Sequence, residues 1–177
     1  MSSDPEIIMK EMVEFGILGF YVITRDGIPL VERKYKEELT EDSDSVLFAG
    51  FLSAIAKFAD DKISGLLSDI GFHTTRFYFD FTEDLILMII FDELKLSSME
   101  IHTTRTLMKG TLSQIKNIFE CFLSEEKSIV STINNLHDAN NLDRIRRYFE
   151  VVYPRIDRLL YKSHKEILNM FNTPSDL

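Results

Sequence analysis

One cysteine, Cys121, is all the thiol this 177-residue chain has, and it cannot close an internal disulfide. The fold is therefore not stapled by cross-links, and a reducing cytoplasm is the expected setting. Glycine and proline are also scarce, seven and four, against 45% hydrophobic residues, which is the composition of an ordinary folded protein with a real core. Basic charge is in deficit: 20 Lys and Arg face 29 Asp and Glu. The deficit lies in residues 1–141, with 13 basic and 24 acidic groups, whereas residues 142–177 hold 7 and 5. Nucleic-acid affinity comes largely from Lys and Arg displacing counterions, so an acidic body argues against a nucleic-acid partner. Long apolar runs are missing too. The longest, Leu85–Phe91, is seven residues where a spanning helix needs about 20. The N-terminus MSSDPEIIMKEM has acid groups and no continuous apolar stretch, unlike a secretory signal. A cytoplasmic protein is expected, with no integral membrane segment and with membranes reached, if at all, through partners.

Motifs that carry chemistry are equally sparse. The tetrapeptide His-Thr-Thr-Arg occurs twice, at 73–76 and 102–105. The first copy is read as strand and the second as the first turns of a helix, so one string has two unrelated geometries and marks no shared site. His73, His102, His137 and His164 lack zinc-ligand spacing and clustered partners, so no metal is expected. Lys109-Gly110-Thr111 inverts a P-loop ending without its glycine-rich turn, and no cofactor or nucleotide is implied. Gly110 reads as a packing accommodation inside a helix, and Cys121 as a buried, inert thiol on that helix's apolar side. No Gly-x-Ser-x-Gly elbow is present, no catalytic residue stands out, and an enzyme is not expected. The acidic run Glu37–Asp44 reads as a solvated loop.

Periodicity supplies the organisation. PEIIMKEMVEF at 5–15 starts with Pro at a first helical position and repeats apolar residues at helical spacing. Ile17 to Ile23, an Asp26-Gly27 turn and the segment from Ile28 predict a β-hairpin. Its second strand carries Pro29, Glu32, Arg33, Lys34 and Lys36, the dressing of a sheet edge. Asp42–Ser45 offer caps for a helix over 46–63. In it Leu47, Phe51, Ala54, Ile55 and Phe58 fall together as the seating face, while Ala49, Leu52, Ala56 and Ile63 form a surplus apolar flank that something else must cover. Leu66–Phe72 is a weak strand, Thr75–Phe81 alternates strongly, and Leu85–Phe91 is an unbroken apolar strand. That strand and 17–23 predict a sheet covered on both faces by helices. Ser97-Ser98-Met99-Glu100 is a capping box opening a helix over about 98–123. A short helix is read in Ser124–Asn135, a polar break at His137–Asn141 with Asn141 as cap, and then a long amphipathic stripe that Pro154 should kink or restart.

The stretches Gly16–Arg33 and Leu47–Ala59, an apolar strand, Arg-Asp-Gly-Ile-Pro, then Leu-Phe-Ala-Gly-Phe-Leu-Ser-Ala, resemble the roadblock and longin families over about residues 5–123. The resemblance implies an α/β (α+β) module of five antiparallel strands with helices on both faces, one helix on one side and two on the other. It implies a domain over 1–125, to which 126–177 add a C-terminal helical extension without counterpart in the minimal module. That extension is left with three roles: an extra layer, a partner's helix, or a lid over a GTPase surface. The families are non-catalytic, pair with themselves or a relative through the helix after the hairpin and a nearby sheet edge, and bind Ras-like small GTPases as platforms, activators or exchange-factor subunits. Carried over by position, the pairing surface is the flank Ala49, Leu52, Ala56 and Ile63, with coverage by the chain's own tail as the alternative. A regulator or scaffold of a small GTPase in membrane-traffic or motility-type signalling is the expected function. The competing reading is a small-molecule sensor of related architecture, which a pocket lined by Phe77, Phe79 and Phe81 would support.

Overall fold

A computed structural model describes residues 4–36, 50–55, 57, 68–125, 131–133 and 139–172. Helix α1 (Pro5–Phe15) is capped by Asp4, whose carboxylate accepts from the Glu6 N–H, and Pro5 opens its first turn as expected. Gly16 ends it at φ +123°, and a Cβ there would stand 2.6 Å from the Asp92 carbonyl oxygen. Only glycine lets the chain pass from α1 into the sheet at that distance. Strands β1 (Ile17–Thr24) and β2 (Pro29–Lys34) form the hairpin, closed by Gly27 at φ +87°. Helix α2 is described at residues 50–55 and 57. Strands β3 (Asp69–Phe72), β4 (Thr75–Phe81) and β5 (Leu85–Asp92) follow, then helices α3 (Ser98–Glu125), α4 (Ala139–Phe149) and α5 (Tyr153–Asn172).

The five strands form one antiparallel sheet in the order β2-β1-β5-β4-β3, with the two apolar strands adjacent, Tyr21 opposite Met88 and Phe20 opposite Ile89. Because successive side chains alternate, each strand feeds two cores. Phe20, Val22, Tyr78, Leu85, Leu87, Ile89 and Phe91 point to one face. There Met12 and Phe15 of α1, Met108, Leu112, Ile115 and Phe119 of α3, and Ile145, Phe149, Ile156, Leu160 and Ile167 of the tail pack in a single cluster. Tyr21, Ile23, Phe77, Phe79, Phe81, Ile86, Met88 and Ile90 point to the other face, where Leu52 of α2 covers them. This is the architecture the roadblock and longin resemblance implies. Among the described residues no helix is long and apolar enough to cross a membrane.

The described tail is an extra layer, on the face opposite α2, so it does not supply the cover expected for the α2 flank. Pro154 restarts rather than kinks it: a 3-10 turn at Glu150–Val152 joins α4 to α5, and Pro154 falls in the first turn of α5, where no partner for its nitrogen is needed. The capping box is made in both directions, with the Ser97 N–H on Glu100 Oε2 and the Glu100 N–H on Ser97 Oγ. Three local readings are overturned. Cys121 is exposed, because the buried stripe of α3 passes through Phe119 and Leu123 and leaves position 121 on the far side. A Cβ on Gly110 would meet no neighbour within 4 Å among the described residues, so the glycine accommodates none of them. Helix α4 begins at Ala139, inside the stretch read as a polar break. The acidic run 37–44 lies outside the described residues.

Candidate interaction surface

Helix α2 turns the opposite way from the sequence reading. Leu52 is fully buried on the sheet and Ser53 is buried with its hydroxyl on the Arg25 carbonyl oxygen at 2.5 Å, whereas Gly50, Phe51 and Ala54 face outward. The apolar arc spans more than half the helix, so periodicity alone could not say which half met the sheet. Of the four residues expected on the free flank, Leu52 is thus placed on the sheet, and Ala49, Ala56 and Ile63 lie outside the described residues. Phe51, expected to seat the helix, is 52% exposed.

A second exposed ring adjoins it. Phe72, at the end of β3, is 44% exposed, lies 6.4 Å from Phe51 between ring centroids, and packs edge-on against Phe77 at 5.6 Å. Strand β3 ends the sheet, and among the described residues no strand lies beyond it. The opposite end is closed: the Arg146 guanidinium donates to the Pro29 carbonyl oxygen at 2.9 and 3.1 Å, and Asp157 accepts from both Arg33 and Tyr35. Burial first, then the Asp157 carboxylate, push the Tyr35 hydroxyl well above a free phenol, so it stays a donor. Among the described residues, one sheet edge is therefore braced by the tail, and the other is unpaired beside an apolar helix face.

Charged contacts tie β3 to β4 and α3. Asp69 accepts from Arg76 Nη1 at 2.6 Å and pairs with Lys109 Nζ at 2.6 Å. Gly71 makes room for that guanidinium, since a Cβ would stand 2.9 Å from Arg76 Nη2. Burial alone would raise the Asp69 carboxyl, but Lys109, Arg76 and Ser68 hold it below the usual range. Turn residues His73 and Thr74 connect β3 to β4, with His73 at φ +56°. The first His-Thr-Thr-Arg copy is thus half turn and half strand, while the second lies within α3, where Thr104 is buried and His102 exposed. Their geometries are unrelated. Phe77, Phe79 and Phe81, the rings that would line a sensor pocket, are buried on the α2 side of the sheet. A cavity of about 500 Å³ lies elsewhere, between α1, the β5–α3 connection and the end of α5.

Fold and surface define a small α+β module in which, among the described residues, one sheet edge is unpaired beside an outward apolar helix face. No family model and no curated protein matches the sequence. Among solved structures, Myxococcus xanthus MglB is similar at 14% identity over 68% of this chain and 94% of that one, with a TM-score of 0.42. The Roadblock/LC7 domain from Streptomyces avermitilis is similar at 9% identity over 67% and 99%, with a TM-score of 0.41. The gliding protein MglB from Thermus thermophilus is similar at 17% identity over 49% and 70%, with a TM-score of 0.38.

Proposed function

We propose that this chain is a non-catalytic platform that pairs with itself or a related module and regulates a Ras-like small GTPase, in membrane-traffic or motility-type signalling. The observation that supports this reading most is the asymmetry of the sheet edges. The β2 edge is braced by Arg146 and the tail, while among the described residues the β3 edge is unpaired and adjoins Phe51 and Phe72. Exposed rings next to a free edge favour association with another protein. The sequence resemblance to the roadblock and longin families supplies the kind of partner, and the five-stranded antiparallel order agrees with it. The pairing surface is then Gly50, Phe51, Ala54 and Phe72. Affinity capture with the full chain tests the partner class: a panel of small GTPases is offered in GDP and GTP-analogue states. Retention that differs between the two states is expected, and a panel with none retained in either state overturns the reading.

A further inference from the structure

The cavity between α1, the β5–α3 connection and α5 has an unusual wall. His164 of α5 is only 4% exposed, and among the described residues neither imidazole nitrogen has a hydrogen-bond partner. Its ring stands edge-on to Phe15 at 4.7 Å and stacks over Tyr161 at 5.8 Å. Beside it, the Glu11 carboxylate of α1 accepts from Lys165 Nζ at 2.6 Å and from the Tyr161 hydroxyl at 3.0 Å, the polar clasp that fastens α5 to α1. The charged and titratable groups facing the imidazole are Glu11 and Glu14 of α1, Lys95 of the connection, Glu100 of α3, and Tyr161 and Lys165 of α5 itself. Because both nitrogens are sealed, the imidazole is not a ready ligand donor. His164 itself lines the cavity, so a proton from solvent has a route to it.

We propose that His164 is a proton-operated release for the tail: neutral, it lets the end of α5, Tyr161–Phe171, lie on α1, and protonated, it frees that segment. A neutral imidazole in this site costs a missing bond or two; an imidazolium has two N–H donors and, among the described residues, no acceptor within bonding distance. The facing carboxylate oxygen, Glu11 Oε2, lies 3.9 Å from Nε2 and is already shared by Lys165 and Tyr161. Drawing it to His164 loosens the clasp, and leaving it alone strands a buried cation. Burial first and the Lys165 ammonium second hold His164 below the ordinary histidine range, and together they outweigh the attraction of Glu11. With the closed state resisting the proton, the closed tail is fully favoured above the ordinary value of about 6.5 and loses ground as pH falls below it. Glu11, itself held low by Lys165 and Tyr161, titrates in a more acid range and does not blur this window.

Hydrogen exchange on the full chain, corrected for the intrinsic rate at each pH, tests the release. Between pH 7 and pH 5.5, protection of amides in Tyr161–Phe171 should fall by up to about tenfold, the limit set by one proton taken up on opening. His164→Leu keeps the apolar contacts with Phe15 and Tyr161 and cannot titrate, so its tail should show the same protection at both pH values. No fall in the native chain, or an equal fall in the variant, overturns the proposal. Should the variant fail to fold, the ring-proton titration of His164 in the native chain decides. A midpoint below the ordinary value of about 6.5 that moves with the tail amides supports release, and one at or above that value overturns it.

Discussion

Glu93 fastens three elements with one carboxylate. It accepts from Arg105 of α3 at 2.9 Å through both oxygens, from Arg76 of β4 at 3.0 Å, and from the Tyr78 hydroxyl at 3.3 Å. Burial pushes the carboxyl up, but Arg105 and Arg76 more than offset it, so the group stays below its usual range. Glu93→Gln should cost about 2 kcal/mol at pH 7, since it leaves two guanidinium groups short of a charged acceptor. Urea unfolding at several pH values checks this. The folded carboxylate binds its proton less readily than the unfolded one, so its contribution is complete above about pH 4.3 and is lost as pH falls through the lowered value. The gap between native and variant should therefore close in acid, and a gap that persists at low pH would show a packing defect instead. No pattern in the sequence announces this cluster, because Arg76, Glu93 and Arg105 belong to different elements and meet only through tertiary structure. The same limit explains Cys121 and Gly110: each was assigned from neighbours along one helix, while exposure depends on which neighbours the rest of the chain supplies.

Elements were more legible than contacts, and the reason is periodicity. Alternation and unbroken apolar runs fix β1, β4 and β5 because a strand covered on both faces has no other economical composition. Proline at 5 and the capping box at 97–100 fix two helix starts, because those groups satisfy backbone donors that the helix cannot. The orientation of α2 was not legible, since apolar residues occupy both of its sides. The lodging of the tail was not legible either. A stripe at spacings of three and four says that a helix is amphipathic, not which surface receives it. That surface proves to be the α1/α3 face, and Asp157 anchors it by accepting from Arg33 and Tyr35 while Arg33 also lies over the Tyr153 ring at 4.9 Å. Asp157→Ala should destabilise the chain by about 1–3 kcal/mol, because the buried Tyr35 hydroxyl and the partly buried Arg33 guanidinium are left without their acceptor. Hydrogen exchange should show β2 and α5 loosening together while β4 and β5 keep their protection. Uniform loosening would mean that the anchor is not local.

A chain of net charge -9 that pairs with a second copy brings two like-charged bodies together, so the pairing proposed through α2 and β3 must be carried by apolar and backbone contacts against long-range repulsion. That fixes the sign of a salt effect. Screening weakens the repulsion and leaves the burial of Phe51 and Phe72 intact, so self-association should strengthen with salt, whereas an interface made of ion pairs would weaken. Sedimentation of the full chain across protein concentration should approach twice 20.6 kDa, and the dissociation constant should fall as salt rises from low to physiological strength. Phe51→Glu separates pairing from folding. The ring is 52% exposed in the single chain, so the substitution should change stability by less than about 0.5 kcal/mol. In the paired state it would place a carboxylate between apolar surfaces at the centre of a patch of roughly 800 Å² per partner, where a stable dimer tolerates none. The variant should therefore sediment at 20.6 kDa with an unchanged unfolding midpoint. A native chain that stays at that mass at tens of micromolar would assign the exposed rings to a different protein, and the same Phe51→Glu chain, tested for GTPase retention, would then show whether that protein is the GTPase itself.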